Sequence, residues 1–513
     1  MLTVAACTLP PAEDQPNDAP ELRAPSTLRV GVTSVGSLDP RALESPESLL
    51  LAAQVFDGLV SYEPAGSAVA PAVAERWDVL DGGARFVFHL RSGVTFHDGS
   101  PVTADTFVSS WTRLADPERV SPFAFLLESV DGFREFHTTR EAQVLQGLSA
   151  LDGRTFEVRL TRPWPDFVAL LGHPTLSPVP SGADEPSFPA LPIGNGPYRL
   201  ERAVEPGAPI LLSRFDGYYG PKARVDNLEF RVHATSEEAW PDFLAGELDV
   251  SEVPSSALLD AQSEFGTRGV VTLGRVLYCG FNQAIRHLRN PRLRVAVSLA
   301  IDREALTRGV YGAVAEPSTG IVPPTIPGSQ DDACAGACFT DLDRAGSIVE
   351  KLPEGSRSFD LDFRDSSIGA RLAVAVAERL ALAGLRVTPN AYEEDAFVRL
   401  FQRREHEFYC LVWVADFPRP QAFLEPLLLS TSPDNRTGFV DARLDRLLDR
   451  ARGEEDPARR EDLYRQAERR ALELMPLVPL AWFHSRLAVK PYVQGFALDP
   501  SGTFDASSLS IQP

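Results

Sequence analysis

The sequence contains no apolar run long enough to span a bilayer and no repeat of fixed period, which argues against a membrane-spanning protein and a solenoid. Basic residues are in the minority, because 50 Lys and Arg stand against 71 Asp and Glu and give a net charge of −21. No basic cluster carries interleaved aromatic residues, so we expect neither nucleic acid nor an anionic membrane surface as a partner. The GxSxG and HExxH motifs of hydrolases are also absent from the sequence.

Cysteine is scarce, with five residues in 513, and the first of them stands apart. Cys7 follows Val4-Ala5-Ala6 and precedes a segment rich in proline and acid, TLPPAEDQPNDAPELRAPS. This arrangement resembles the lipobox of a bacterial lipoprotein, although a signal peptide is longer than the six residues before Cys7. We therefore expect residues 1–26 to be a lipobox remnant and flexible tether, with a truncated signal peptide and a lipid on Cys7 that anchors the protein to the outer face of the bacterial cell membrane. The alternative is a free cysteine in a cytosolic protein.

The other four cysteines form an even set, which suits two disulfides in an exported protein. Cys334 and Cys338 lie in the segment DDACAGACF, where small residues and Gly336 allow a local ring. Half of a metal site is the alternative, but no second pair of Cys or His is nearby in the sequence. We therefore predict a Cys334–Cys338 disulfide, and we expect no metal ion and no cofactor.

One apolar segment and the acid that follows it organise the predicted binding site. Residues 408–414 are continuously apolar, with β-branched and aromatic members, which predicts a strand buried on both faces in a mostly parallel sheet. Asp416 comes soon after this strand, and Phe417-Pro418 ends it. Ligands of open α/β sheets bind beyond the carboxyl ends of the strands, so Asp416 is a candidate ligand-binding carboxylate. The alternative is that Asp416 caps a helix that begins near Gln421.

The segment before this strand has the pattern of a parallel α/β unit. Its apolar periodicity alternates between that of strands and that of helices, and Gly384 stands where a helix would stop. The predicted elements are the strand 359–363, the helix 368–383, the strand 385–392, the helix 395–404 and the strand 408–414. This βαβαβ order predicts an α/β protein with right-handed crossover connections.

Several separate motifs, in a fixed order, resemble those of one family. They are DGGARFVFHLRSGVTFHDGSPVTADTFVSSWTRLADP at 81–117, LDGRTFEVRLTRPWPDFVALLGHPTLSPVP at 151–180, IGNGPYRL at 193–200 and FNQAIRHLRNPRLRVAVSLAIDREAL at 281–306. Together they resemble the peptide-binding family of ABC-transporter substrate-binding proteins, extracellular solute-binding protein family 5, and most closely its oligopeptide branch. Each motif alone is a weak signal, and the ordered set is a strong one.

The resemblance implies an α/β, two-lobed periplasmic-binding-protein-like fold of the class II type with an inserted smaller subdomain. The implied segments are 27–57, 180–275 and 488–513 for lobe one, 58–179 for the inserted subdomain, and 276–487 for lobe two. In proteins of this kind the lobes close on the ligand by a hinge, and the cavity between them excludes solvent.

The resemblance also implies how lobe two would hold a peptide. The α-ammonium group of a peptide needs a desolvated acid, which Asp416 would supply. The main chain needs strand-like partners, which Val412 and Val414 on either side of Trp413 would supply, because main-chain pairing does not depend on the sequence of the ligand. Roomy, hydrated pockets would then accept varied side chains through water.

On lobe one, across the cleft, the resemblance implies contacts from Glu44, Ser45 and Phe123. Glu394 stands where the family pattern places an aromatic residue of the pocket, so the side-chain preference of the site is open. The sequence shows no clear Lys, Arg or His for the C-terminus of a ligand, which leaves the ligand length open as well.

Cys279 and Cys410 match two positions that are neighbours on the pocket wall, with opposite charges, in the proteins that this chain resembles. The resemblance therefore implies that a Cys279–Cys410 disulfide replaces an ion pair in the cleft. Two separate buried thiols are the alternative, because cysteine packs like a small hydrophobic residue.

These expectations combine into one functional hypothesis. We expect a monomeric extracytoplasmic lipoprotein, not an enzyme, that captures oligopeptides between its lobes and delivers them to the permease subunits of an ABC transporter. One alternative keeps the fold and changes the cargo to an oligosaccharide, a nickel chelate or haem. Asp416 and the small number of histidines, eight in all, argue against these cargoes. A secreted hydrolase is the remaining alternative.

Overall fold

The computed structural model describes residues 26–63, 67–334 and 336–512, so Cys7 and the predicted tether lie almost entirely outside the described residues. Within these ranges the strands are β1 Thr27–Val32, β2 Val60–Tyr62, β3 Val69–Pro71, β4 Ala74–Leu80, β5 Arg85–Leu90, β6 Leu148–Asp152, β7 Thr155–Arg159, β8 Tyr198–Leu200, β9 Ile210–Arg214, β10 Asn227–Val232, β11 Val250–Glu252, β12 Thr272–Phe281, β13 Ala315–Pro317, β14 Ser358–Arg364, β15 Arg386–Tyr392, β16 Phe408–Val414, β17 Leu477–His484, β18 Leu487–Val489, β19 Val493–Gln494 and β20 Ser510–Ile511.

The helices of the same ranges are α1 Pro46–Val55, α2 Ala104–Leu114, α3 Ser236–Leu244, α4 Leu258–Phe265, α5 Pro291–Ala300, α6 Arg303–Leu306, α7 Leu342–Val349, α8 Ser367–Leu382, α9 Glu394–Gln402, α10 Gln421–Leu428, α11 Ala442–Gly453 and α12 Pro457–Leu474. Asn290 and Asp456 cap α5 and α12 by accepting the N–H groups of Arg292 and Arg459, and a proline takes the first helical position of each. In this part of the chain no helix combines the length and the apolar character that crossing a membrane requires.

Lobe one is built on a six-stranded sheet in the order β18-β11-β1-β10-β9-β8. The central strand β1 is parallel to β10 and β11, and its alternate residues Leu28 and Val30 are buried in the core. The C-terminal segment joins this core through Gln54 of α1. The amide of Gln54 donates to the carbonyl of Phe504 (2.7 Å) and accepts from the N–H of Ala506 (3.0 Å). The two ends of the described chain therefore fold into one body.

Lobe two is built on a second six-stranded sheet in the order β13-β17-β12-β16-β14-β15. The predicted βαβαβ unit is confirmed, because β14 is parallel to both β15 and β16, with α8 and α9 as the connections. On its other side β16 pairs antiparallel with β12. The sheet is therefore mixed, and the prediction of a mostly parallel sheet is wrong. The cause is a partner strand from a distant segment, which a local apolar pattern does not reveal.

The second half of β16 is not buried as predicted. Phe408 and Tyr409 are fully buried, whereas Val412 and Val414 are 44% and 52% exposed. The parallel pairing with β14 ends at Tyr409, so the rest of the strand has a neighbour on one edge and open space on the other. The alternative role of Asp416 as a helix cap is also wrong, because α10 begins after Pro420 and no side chain caps it.

The inserted subdomain carries an antiparallel sheet in the order β4-β5-β7-β6. α2 packs on this sheet, and the buried indole of Trp111 donates its N–H to the carbonyl of Leu176 at 2.9 Å. Phe417 also belongs to this core, where its ring centroid lies 5.9 Å from that of Trp164. The segment that carries Asp416 therefore contacts the subdomain as well as lobe two.

The chain passes between the two large sheets at two adjacent crossings. Gly269 pairs with Leu487 on the side of lobe one. One step further, the N–H of Ser485 donates to the carbonyl of Val271 at 2.9 Å, and the N–H of Val271 donates to the Ser485 hydroxyl at 2.9 Å. Paired crossings of this kind are where lobes hinge. The predicted lobe boundaries fall within a few residues of these crossings and stay predictions.

Two disulfides join the four cysteines of the described chain. Cys279 on β12 and Cys410 on β16 are directly opposite each other, with their Cα atoms 4.0 Å apart. Cys334 and Cys338 close a short loop, with their Cα atoms 5.6 Å apart. The structure thus pairs the cysteines as the sequence analysis predicted, and their oxidation in the purified protein stays a prediction.

The two disulfides should differ in their contribution to stability. The Cys279–Cys410 bond closes a loop with a sequence separation of 131, against 4 for Cys334–Cys338. By the chain-entropy argument the long loop contributes up to about 5 kcal/mol and the short loop about 2 kcal/mol. We expect the double variant C279A/C410A to lose more unfolding free energy in urea than its matched control C334A/C338A. Equal losses, or free thiols at these positions in peptide maps of oxidised protein, would contradict the prediction.

Candidate functional site

A cavity of about 830 Å³ lies between lobe one, the subdomain and lobe two. This volume is within the range of cavities that bind small organic ligands. Five of the predicted site residues line it, and we call it the cleft cavity. They are Glu44, Ser45, Phe123, Val414 and Asp416. The predicted residues of lobe one and lobe two therefore face a common space.

Asp416 lies in the wall of the cleft cavity without a partner. Its half-buried carboxylate forms no hydrogen bond or ion pair with another side chain in the described part of the protein. Burial raises the pKa of this carboxyl to about 7, and repulsion from Asp434 acts in the same direction. Such an acid destabilises the ligand-free protein when it is ionised, and a cationic ligand group would remove that penalty.

The open edge of β16 borders the same wall. Ala415 donates its N–H to the carbonyl of Gly274 at 2.9 Å, which fixes the alternation of hydrogen bonds between β16 and β12. In an antiparallel pair, the residues next to a hydrogen-bonded pair direct their main-chain groups to the opposite side. The N–H and C=O groups of Val412 and Val414 therefore point away from β12, toward the edge that β14 leaves open.

Trp413 has a structural role. It lies between the two valines, and its indole N–H donates to the carbonyl of Ala422 at 2.7 Å. Ala422 belongs to the first turn of α10, so this bond holds the turn against the strand. The loop that contains Asp416 is thereby closed by a hydrogen bond from the side chain of Trp413 before it to a main-chain carbonyl after it.

On the opposite wall, the residues of lobe one and the subdomain are held in place locally. Ser45 caps α1 by accepting the N–H of Ser48 at 3.0 Å. The Phe123 ring lies 5.5 Å from the imidazole of His173, between centroids. Burial lowers the pKa of His173 to about 4, so the imidazole is neutral and the pair acts as an apolar surface.

The other five predicted contacts lie outside the lining of the cleft cavity: Val412, Trp413, Glu394, Cys279 and Cys410. Glu394 begins α9, and its exposed carboxylate pairs with the guanidinium of Arg364 at 2.8 Å. The disulfide lies further back along β16, where Cys279 is fully buried. Direct ligand contacts by these five residues stay predictions.

Asp57 is an acid of the cleft cavity that the sequence analysis did not identify. Its carboxylate accepts hydrogen bonds from the phenols of Tyr218 (2.7 Å) and Tyr219 (2.6 Å). Burial raises the pKa of Asp57 to about 6, and the two phenols oppose that shift. The turn DGYYG at 216–220 carries both tyrosines, but the acid is 161 residues from Tyr218 along the chain, so no local pattern links them.

Arg275 is the second residue that the sequence analysis missed. It lies on β12 opposite Val414 and lines the cleft cavity. Its position in the middle of an apolar strand gave no sign that its side chain would face a cavity. Thus the wall of lobe two presents both a positively charged side chain, Arg275, and an acid, Asp416.

Two lobes on separate sheets, joined by paired crossings and enclosing a cavity, define a two-lobed solute-binding protein. A family model described as "Bacterial extracellular solute-binding proteins, family 5 Middle" matches residues 68–435, which is more than half of the chain. The chain belongs to this family, the peptide-binding family of ABC-transporter substrate-binding proteins. It is therefore an extracytoplasmic binding protein, and its relatives are substrate-binding proteins rather than enzymes.

Named relatives match nearly the whole chain. The probable deoxycholate-binding periplasmic protein YgiS of Escherichia coli K12 is 29% identical over 90% of this chain and 89% of its own length. The periplasmic oligopeptide-binding protein OppA of Salmonella typhimurium LT2 is also 29% identical, over 94% of this chain and 92% of its own. The unliganded open form of the murein tripeptide-binding protein MppA shares the fold, with a TM-score of 0.82, 24% identity and coverage of 95% and 97%.

The cost of an ionised Asp416 without a partner should be measurable as a loss of unfolding free energy in the ligand-free protein. Its folded pKa of about 7 exceeds the ordinary value of 3.8, so the folded state binds the proton more tightly than the unfolded state. Stability is therefore lost as the pH rises from about 4 through 7. We expect Asp416→Asn to match the wild type in urea unfolding at pH 4 and to exceed it by about 2–4 kcal/mol at pH 8.

Other acids with raised pKa values, such as Asp57 and Glu468, titrate in both proteins and cancel in this difference. A difference between wild type and variant that does not change with pH would show that the carboxylate of Asp416 is satisfied in the free protein.

Proposed function

We propose that this protein captures peptides in the cleft cavity through their α-ammonium group and main chain, and delivers them to the permease of an ABC transporter. The observation that carries the proposal is the carboxylate of Asp416, which has no partner among the described residues and stands at the end of a strand with an open edge. A free peptide offers its α-ammonium group to the carboxylate and its main chain to the open edge of the strand.

The ammonium group of the peptide would make the strongest contact. Desolvation of Asp416 is partly complete before any ligand arrives, so a charged hydrogen bond forms there without further loss of hydration by the protein. The main chain of the ligand would then extend along the open edge and pair with the N–H and C=O groups of Val412 and Val414. Neither contact depends on the side chains of the ligand, which supports a site of broad peptide specificity.

The charge of the cleft cavity supports a peptide over an anionic steroid such as deoxycholate, which the name of one relative suggests. Among the described residues its lining contains six acids and two arginines: Glu44, Asp57, Glu63, Asp416, Asp499 and Asp505 against Arg91 and Arg275. A bile-acid anion would enter against this excess of negative charge, whereas an ammonium group is attracted by it.

Binding of matched peptides tests the proposal. We expect Asp416→Asn to weaken the binding of tri-, tetra- or penta-alanine by roughly ten- to a hundredfold, because a hydrogen bond to a charged group contributes about 1.5–3 kcal/mol. N-acetylation of the peptide should weaken binding to the wild type by a similar factor and should have little further effect on the variant. Isothermal titration calorimetry at pH 7.5 measures all four combinations.

The matched control for this experiment is Asp449→Asn. This acid is exposed on α11, pairs with Arg162 at 3.5 Å and is not part of the lining of the cleft cavity, so its removal changes the net charge without touching the site. Equal affinity of the wild type for free and acetylated peptides would show that Asp416 does not bind the ammonium group.

The lipid anchor is a further part of the proposed function. Cys7 lies outside the described residues, and the proposal rests on the small residues before it and the proline-rich segment after it. A diacylglyceryl group on Cys7 would hold the protein, as a monomer, on the outer face of the membrane beside its permease.

Cell fractionation tests the anchor. When the gene is expressed from its own chromosomal locus, we expect the wild type to sediment with membranes and Cys7→Ser to appear in the soluble extracytoplasmic fraction. Membrane association of Cys7→Ser equal to that of the wild type would exclude a lipid at this position.

A further inference from the structure

The loop that carries Asp416 lies between two points of attachment. Before it, the N–H of Ala415 donates to the carbonyl of Gly274, and the N–H of Gly274 donates to the carbonyl of Pro500 at 2.8 Å. Pro500 belongs to the C-terminal segment that completes lobe one. After it, the ring of Phe417 is buried in the core of the subdomain. Asp416 is therefore attached to lobe one on one side and to the subdomain on the other.

Arg419 of the same loop strengthens the attachment to the subdomain. Its guanidinium donates to the carboxylate of Asp166 at 2.8 Å and to the carbonyl of Ser67 at 2.8 Å. Arg460 of α12 forms an ion pair with the other oxygen of Asp166 at 3.5 Å. The side chains of Arg419 and Asp166 are only 17% and 16% exposed, so solvent and salt screen this ion pair less than one on the surface.

A second ion pair joins the same two bodies at the surface. The guanidinium of Arg162 in the subdomain lies 3.5 Å from the carboxylate of Asp449 on α11, and both side chains are more than half exposed. Exposed ion pairs of this kind contribute little to stability. The pair of Arg419 with Asp166 differs from it in two ways, because it is shielded from solvent and because it lies on the loop of the candidate ammonium site.

The direction of the Arg419 side chain also affects the charge of the site. Arg419 is the base nearest to Asp416 along the sequence, three residues after it, and it would neutralise the acid if it faced the cleft cavity. The side chain instead lies outside the lining of this cavity. Its donors bind Asp166 and the carbonyls of Ser67 and Pro418. The carboxylate of Asp416 is thereby left for a ligand.

We propose that Arg419 and Asp166 are positioning residues of the ammonium site. Their ion pair fastens the loop of lobe two to the subdomain, holds the carboxylate of Asp416 at a fixed place in the cleft wall, and directs the arginine away from it. The ammonium site is then complete before the lobes close, and the amino end of a peptide binds first. This inference rests on the proposed peptide-binding function and adds to it the residues that prepare its ammonium contact.

Preorganisation is the physical reason for the effect. A charge-assisted hydrogen bond is short and directional, so its full strength requires an acceptor that is already in place. Without the ion pair, the ligand would have to order the loop of Asp416 on binding, and this entropic cost would be subtracted from the affinity. Only ligands that use the ammonium contact would lose affinity in this way, because other contacts of the peptide do not depend on the loop.

The test uses the ratio of the dissociation constants of N-acetylated and free penta-alanine, measured by calorimetry at pH 7.5, because this ratio isolates the ammonium contact. We expect Asp166→Asn and Arg419→Gln to lower the ratio by about fivefold or more, and to change the affinity for the acetylated peptide by less than about twofold. The double variant should lose no more than the more affected single variant, since each removes the same ion pair. Arg419→Lys should keep part of the ratio, because lysine can pair with Asp166 but lacks the fork of donors that also reaches Ser67.

The matched control is Arg162→Gln, which breaks the exposed ion pair with Asp449 between the same two bodies and should keep the ratio of the wild type. Hydrogen exchange of the ligand-free protein gives a second measurement that needs no ligand. We expect the N–H groups of residues 415–422 to exchange faster in Arg419→Gln than in the wild type or the control, because the loop has lost one of its attachments.

Two outcomes would overturn the inference and leave the proposed function intact. If the variants weaken free and acetylated peptides by the same factor, the ion pair holds the lobes together without positioning Asp416. If both single variants keep the ratio of the wild type, the site does not need the ion pair. A ratio near one in the wild type would instead refute the proposed role of Asp416, and this inference with it. Asp166→Asn keeps the shape of the side chain, so the test remains decisive even if Arg419→Gln does not fold.

Discussion

The antiparallel pairing of β16 with β12 is the interaction on which the rest of the site depends. It connects a strand of the βαβαβ unit to the strand that enters lobe two from the hinge. The register of this pairing sets Cys279 against Cys410 and Arg275 against Val414. It also decides which main-chain groups of β16 are used inside the sheet and which remain for a ligand. A shift of one residue would reverse all these assignments at once.

The charged groups of the cleft contrast with those elsewhere in the protein. Buried charges outside the cleft have partners, as Glu468 shows by accepting the N–H groups of Ile321 and Val322. Asp416 and Arg275 stand without them among the described residues, and the free protein carries the cost. Binding proteins can retain such unfavourable charges because a ligand that supplies a partner recovers the cost as affinity and specificity.

The parts of the structure that were predictable from the sequence are those with local signals. The bounds of β16 and the cap at Asn290 follow from an apolar run and from a cap followed by proline, which act over a few residues. The antiparallel partner of β16 did not follow, because β12 is distant in the chain. The exposure of Val412 and Val414 was missed for another reason: hydrophobic residues that form a ligand wall have the same composition as residues of a core.

The candidate site residues divide in the same way. Asp416 was identifiable because an acid at the end of an apolar strand is locally unusual. Arg275 and Asp57 were not, because the position of the first depends on the strand beside it and the contacts of the second come from the tyrosines of a distant turn. Sequence motifs thus identified the family and one charged residue of the cleft, and the pairing of distant segments was needed to find the others.

The Cys279–Cys410 bond has a consequence for the order of export and folding. Its closed loop includes most of lobe two, and the bond can persist only in an oxidising compartment. Inside the cell the reduced chain lacks this restraint. Its unfolded state therefore has more conformations, and the folded lobe is less stable relative to it. Once the chain is outside, formation of the bond would remove those conformations from the unfolded state and so stabilise the folded lobe. Because the bond can form only after export, the chain would cross the membrane without this restraint and gain it when lobe two folds.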